Sequence, residues 1–314
     1  MEKGKSHDRT EGEKSEMTRG ERHNLIKGLS FTFPWILGLL LFVLYPVLAS
    51  LYYSLTNFNV FLKPVFIGFE NYKNLFEDQL FWKTSSNTFF YAMFALPLSL
   101  AFALGIAILL NQPVKMRSVF RTIFFMPSLV PLVALGILWL WIFNGQYGIL
   151  NFALRKILLP LGLDAPNWIG DPRFTKPALI FMGLWGVGGS VVIYLAALQD
   201  VPTHLYEAAE IDGASAIGKF RHVTLPLISP VIYFNLVMGI IGTLQIFAVP
   251  FVMFQRGPLN STYFFSMYIY DNAFKYLKMG YASALAWIMF LLIFLLTLAA
   301  TRISRRRIYY GGEQ

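Results

Sequence analysis

The chain has 314 residues, 56% of them hydrophobic and only 14% charged, with a mean hydropathy of +0.55. Soluble globular domains carry about 25% charged residues, so this is the composition of a membrane protein, and the absence of cysteine excludes disulfides, zinc–thiolate sites and thiol nucleophiles. The net charge of +9 comes without a basic, aromatic-studded segment suited to nucleic acid, and Lys and Arg at the ends of membrane helices explain it better.

Residues 1–27 read as a polar tail that lacks the pattern of a secretory leader. A hydrocarbon core about 30 Å thick needs roughly 20 apolar residues of helix. Six stretches qualify: Phe31–Tyr53, Thr88–Leu110, Ile123–Phe143, Ala178–Leu198, Leu227–Phe254 and Gly280–Thr301. The first contains "PVLAS" near its end, which resembles a cleavage site, yet the run exceeds a signal-peptide core and reads as a retained span. Pro97 offers a kink in the second span, and Pro127 and Pro131 predict one in the third. The expected product is an all-α, polytopic membrane domain over 28–308, with a short tail at 309–314.

None of the six cores contains Asp, Glu, Lys, Arg or His. Proton-coupled carriers need an ionisable group at depth, and the chain also lacks the Gly-x-x-x-x-Gly-Lys-[Ser/Thr] loop that cradles nucleotide phosphates. His7, His23, His204 and His222 fall in polar segments without metal-ligand spacing, so neither a metal nor a cofactor is expected. A secondary carrier or a membrane-embedded enzyme would require groups that these residues do not supply.

With six spans both ends of the chain share one side. That side holds most of the 26 Lys and Arg residues. They lie in the tail, at Lys115, Arg117 and Arg121, at Lys219 and Arg221, and at Arg302, Arg305, Arg306 and Arg307. Basic residues beside span ends mark the cytoplasmic face. Both termini and the interval between the fourth and fifth spans are therefore expected on the cytoplasmic side of a cell membrane.

That interval, 199–226, contains "EAAEIDGASAIGKFRHVTLP", from Glu207 to Pro226. A charge at mid-membrane costs about 2.5–3.5 kcal/mol even on lenient scales, and this stretch carries several. Two short helices outside the bilayer fit better. Thr203 is a candidate N-cap, after which Leu205, Tyr206, Ala209 and Asp212 share a face. Asp212-Gly213 signals a turn with Gly213 left-handed, Ser215 can cap the second helix, and Pro226 leads into the fifth span. Such a helix can float at the lipid interface or seat against a protein. Its acidic first half and paired alanines favour a protein, because helices that seek lipid surfaces are usually basic.

The segment resembles the EAA loop of ATP-binding-cassette (ABC) importer permeases. Glu207, Ala208, Ala209, Gly213, Leu225 and Pro226 match its pattern, and Val223 stands where Ile is usual. "IGFENYKNLFEDQLFWKTSSNT", "FRTIFFMPSLVPLVALGILWLWIFNGQYGILN", "NWIGDPR" and "ALQDVPTHLYEAAEIDGAS" are similar to permeases of the maltose and glycerol-phosphate uptake type. A family Gly-Gly-Pro…Thr stretch reads "QRGPLNST" here, with Arg256 in place of one glycine. The resemblance implies the type I importer permease fold. It also implies a second homologous permease subunit, two copies of an ATPase and an extracytoplasmic solute-binding protein that delivers a sugar. Glu207 would contact a basic ATPase group, Ala208 and Ala209 would permit close packing, Gly213 would permit the bend, and Asp212 would belong to the same coupling set.

A lining without charge suits uncharged sugars and polyols. In the fourth span, glycines 183, 186, 188 and 189 allow close helix approach, while Trp185, Gly186, Ser190 and Tyr194 are candidates to border a solute cavity. Gly186 is the position that the resemblance to maltose-type permeases marks for sugar contact. In the fifth span Asn235, Thr243 and Gln245 each need a hydrogen-bond partner. Asn235 suits bonding between helices, and Gln245 is the candidate solute contact.

Overall fold

The computed structural model describes residues 19–113 and 115–305. Most of the 1–27 tail, Arg306, Arg307 and the 309–314 tail lie outside that set. The chain divides into two compact units, Met1–Tyr52 and Tyr53–Gln314. In the first, a helix from Arg19 continues through a π turn at Leu40–Leu44. Phe31 is 87% and Phe42 80% exposed, and apolar residues cover the rod on all sides. Such an all-round apolar helix suits lipid, and the candidate span runs Arg22–Ser54.

Among the described residues of the second unit, the regular structure is helical except for one small antiparallel ladder, which pairs Thr56 with Phe66 and Asn57 with Val65. Gln79–Asn111, Ser229–Met253 and Met279–Ser304 are each long and apolar enough to cross a bilayer. Two further candidates are bent pairs: Arg117–Leu129 with Leu132–Ile142 at 101°, and Pro172–Trp185 with Gly188–Gln199 at 45°. Counted as one span each, they complete the six read from hydropathy.

The third span is more than the kinked helix expected. Pro127 opens a 3-10 turn, Met126–Leu129, and Pro131 holds the preceding Val130 in an extended conformation (φ −72°, ψ 127°). A proline restricts the residue before it to extended backbone and removes its own N–H from the helix ladder, so the chain turns sharply there. Pro97 produces no such break and lies inside the continuous helix Gln79–Asn111. One lost hydrogen bond is tolerable where neighbouring helices pack around the gap.

That long helix runs through both buried cores. One core includes Tyr91, Trp139, Met182, Phe264 and Leu285. The other includes Ala103, Ala107, Tyr194, Leu198 and Ile228. Ala103 and Ala107 are wholly buried, and small residues on this face let Gly188–Gln199 and Ser229–Leu244 pack closely against it. The close approach expected of the fourth-span glycines falls on Gly188. A Cβ there would lie 2.4 Å from the Phe124 carbonyl oxygen and 2.9 Å from Phe125 Cα, whereas Gly189 faces open space.

Buried polar groups pin the loop after the fifth span. The Asn87 amide donates to the carbonyls of Asn260 (2.7 Å) and Tyr263 (3.0 Å), and its oxygen accepts from Lys176 Nζ at 3.0 Å. Phe265 N donates to Thr88 Oγ1, and Thr175 bonds Ser261. A paired polar node of this kind fixes position where apolar contact alone is non-directional.

Candidate functional site

A cavity of about 490 Å³ lies where three helices are interrupted. The fourth span breaks at Gly186 (φ −87°, ψ 5°), the fifth at Gln245–Phe247, and Leu132 begins the second half of the bent third span. All three interruptions contribute to its walls, together with Tyr91 from the second span. Irregular backbone within a membrane domain is tolerated where protein buries it or where it lines a cavity. The N–H groups of Ile246 and Phe247 find no backbone acceptor among the described residues, which leaves hydrogen-bonding capacity at the wall. The Gln245 amide and the Tyr91 hydroxyl add polar groups without adding charge.

Of the fourth- and fifth-span candidates, Gly186 and Gln245 meet at this cavity. Trp185 and Ser190 are not in its lining. Trp185 turns the other way, 42% exposed, with its ring edge-on to Trp139 at 6.0 Å. Tyr194 is 1% exposed and packs in the second core, because the 45° break rotates everything after Gly186 out of register with the preceding helix. Asn235 bonds the Val231 carbonyl of its own helix at 3.0 Å instead of reaching a neighbour, and Thr243 likewise bonds Gly239. Tyr91 was not singled out in the sequence, since a tyrosine in an apolar run carries no periodic signal.

The 199–226 segment folds as two short helices, Thr203–Ile211 and Ala216–Lys219. Thr203 is already helical and makes no cap. Pro202 takes the N-cap position, and no side chain there accepts a hydrogen bond. Leu205, Tyr206 and Ala209 are half-buried, while Glu207, Ala208 and Asp212 are exposed. Asp212 therefore leaves the face assigned to it, because it terminates the helix as its C-cap. Gly213 supplies the left-handed turn (φ 74°), and Ser215 Oγ accepts from Gly218 N at 3.2 Å. Tyr206 and Thr224 hydroxyls bond at 2.9 Å, which ties the first helix to the π turn Phe220–Thr224.

Charge in the segment is unevenly spent. Lys219 pairs with Glu210, and its hydrogen bond holds that carboxyl below the ordinary carboxylate value. Glu207 and Asp212 take no ion-pair partner among the described residues. Beside them Ile211 is 88% and Ile217 78% exposed. The root of the segment is anchored by two arginines. The Gln199 side-chain oxygen, oriented as its partners require, accepts from Arg117 Nη2 (3.2 Å) and Arg121 Nη2 (2.5 Å). Arg117 also donates to the Leu110 carbonyl and to Asn111. One guanidinium thus joins the ends of the second and fourth spans to the start of the third.

On the opposite end of the fifth span, Arg256 proves structural. Its Nη2 meets Asp271 Oδ2 at 2.7 Å and donates to the Tyr276 hydroxyl at 2.6 Å, and Tyr263 donates to the same carboxylate oxygen at 2.8 Å. The Tyr276 bond is the largest influence raising the Arg256 pKa, against the opposing effect of burial, and burial followed by the Asp271 bond raises that of Tyr263. The sequence exposed Arg256 as a departure from a glycine pattern, but its partner lies 15 residues on.

Residues 79–309 match the family described as binding-protein-dependent transport system inner membrane component. The chain is 36% identical over 302 residues to the "Probable ABC transporter permease protein YesP" of Bacillus subtilis, covering 95% of this chain and 96% of that protein. It is also 36% identical over 277 residues to the sulfoquinovosyl glycerol transport system permease SmoG of Agrobacterium fabrum, covering 87% and 89%. Among solved structures, a bacterial alginate ABC transporter in complex with alginate pentasaccharide-bound periplasmic protein superposes with a TM-score of 0.80. The identity is 23%, with 93% of this chain and 97% of that one covered, a likeness of fold. The fold and the match over most of the sequence agree, and the chain belongs to the inner-membrane permease components of binding-protein-dependent ABC importers.

Proposed function

We propose that this permease carries a sugar or related polyol, delivered by an extracytoplasmic solute-binding protein, and that a separate ATPase drives it through the 199–226 segment. In this reading the chain pairs with a second, homologous permease above two ATPase copies. Both termini face the cytoplasm, and residues 28–308 form the transmembrane domain between the 1–27 and 309–314 tails. The carrying observation is the helix Thr203–Ile211, which is held to the body by Tyr206 and presents Glu207 and Ala208 outward. An unpaired acid beside a small residue and the exposed Ile211 suits a groove with a basic group and an apolar floor. A lipid surface would favour basic residues instead.

The sugar assignment is supported by the uncharged cavity at Gly186 and Gln245 and by the glycoside named for the Agrobacterium relative. Closure of the ATPase pair would push the segment, and the spans attached at its root would reorient the cavity from inside to outside. The test is Glu207→Lys in the reconstituted importer. Normal membrane insertion with loss of uptake and of binding-protein-stimulated ATP hydrolysis is expected. Near-normal uptake would remove the coupling role.

A further inference from the structure

The ring of Phe247, at the wall of the inner cavity, is the first of a chain of aromatic contacts. Phe247 stacks on Phe251 with centroids 5.1 Å apart and rings 20° from parallel, and it lies 5.3 Å from Tyr270. Phe251 meets Tyr270 at 5.5 Å, and Tyr270 meets Phe274 at 5.2 Å. Phe251, Tyr270 and Phe274 line a second cavity, about 820 Å³ in volume, whose other walls carry Gln255, Arg256, Asp271 and Lys275. That cavity lies past the end of the fifth span remote from the 199–226 segment. Four rings therefore run in unbroken contact from one cavity to the other.

Packing alone does not account for them. Phe251 is 37%, Tyr270 38% and Phe274 64% exposed, so each ring keeps part of its surface open. The same cavity carries a guanidinium, a carboxylate and an ammonium, so hydrogen-bonding groups stand beside the rings. Ring faces flanked by hydrogen-bonding groups suit a saccharide, whose C–H face lies on an aromatic surface while its hydroxyls take the polar partners. The segment that carries Tyr270 and Phe274 is also held in place. Asp271 is fixed by Arg256 and Tyr263, and the Tyr268 hydroxyl bonds Asp78 at the start of the second span.

We propose that Phe247, Phe251, Tyr270 and Phe274 form an aromatic track along which a saccharide passes from the outer cavity to the one at Gly186 and Gln245. The proposal rests on the sugar-importer reading and adds the route. Spacing near 5 Å lets a sugar ring engage the next face before it leaves the last, so no single step gives up all contact.

The test uses cells lacking the native copy and complemented with the full chain, supplied in turn with radiolabelled lactose, maltose, trehalose and raffinose. For a saccharide whose uptake the wild type restores, Phe251→Ala, Tyr270→Ala and the well-exposed Phe274→Ala should each lower maximal uptake about 3- to 10-fold, the scale of one ring contact. Membrane abundance should stay unchanged, and Phe251→Tyr and Tyr270→Phe should restore the rate. In nanodiscs, saturation transfer from the chain to the C–H protons of that sugar should fall in the alanine variants and persist in the aromatic ones. Wild-type rates and saturation transfer in the alanine variants would overturn the track and leave the importer reading intact. Loss of uptake without aromatic rescue would show a structural role and overturn it too. Failure of the wild type to restore uptake of any of the four sugars would count against the sugar reading itself, and the track would fall with it.

Discussion

Replacing Arg256 by leucine is expected to destabilise the ends of the fifth and sixth spans remote from the 199–226 segment by about 2–3 kcal/mol. Breaking a well-buried ion pair costs about 3–5 kcal/mol, because the remaining charge stays uncompensated. Here the Asp271 side chain is 9% exposed and that of Arg256 35%, so water screens one partner and the cost is discounted accordingly. Tyr263 still donates to the carboxylate after the change, which keeps the penalty at the lower end. Asp271→Leu should cost a similar amount, since it strands the guanidinium against the ring of Tyr263, 4.6 Å away. The double variant removes both charges and should recover about 1–2 kcal/mol relative to the sum of the single changes. Reversible unfolding of the purified chain by SDS in mixed micelles measures all four corners of the cycle. Additivity to within about 0.5 kcal/mol would refute the claim that the two side chains act as a pair.

Gly188→Ala should cost about 1–3 kcal/mol in the same assay, because the added methyl meets backbone of the third span and that backbone must move. Gly189→Ala, one residue away with open space, should be close to neutral, and equal costs at the two positions would contradict the packing. Lys219 holds the Glu210 carboxyl below its ordinary value of 4.5, so the pair stabilises the folded segment above that pH and loses its contribution as pH falls through the lowered value. The difference in melting temperature between wild type and Glu210→Gln should therefore stay constant from pH 7 to about 4.5 and close below it. Under the proposed coupling, Arg117→Lys should lower the sugar transported per ATP hydrolysed in proteoliposomes, since an ammonium lacks the planar fork that bridges Leu110, Asn111 and Gln199. An unchanged ratio would show that the bridge carries no force.

The spans were legible because 20-residue apolar runs report a solvent, and that signal survives any detail of packing. The turn at Gly213 and the cap at Ser215 were legible for a similar reason: a left-handed backbone and an orphan N–H are local demands that few residues meet. The cavity was only half visible. Gly186 and Gln245 could be nominated one at a time, but their meeting depends on how two spans pack. Ser190 and Tyr194 follow the break after Gly186, which takes them out of phase with it, whereas Trp185 precedes the break and packs against Trp139. The pairing of Arg256 with Asp271 was hidden because charges in loops carry no period from which a partner can be read. At Val130 the prolines announced a break, but a lost N–H and an extended residue before proline do not by themselves specify an angle of 101°.

The helix Gly188–Gln199 connects the break beside the cavity to the arginine-held root of the proposed coupling segment. Its 12 residues make a rod about 18 Å long. A tilt of about 10° about Gly186 would carry the Gln199 end through about 3 Å on a rod of that length. The same lever works in reverse, so a sideways shove of a few ångströms at the foot of that helix becomes a change of angle at the cavity wall, with no helix stretched or unwound along the way.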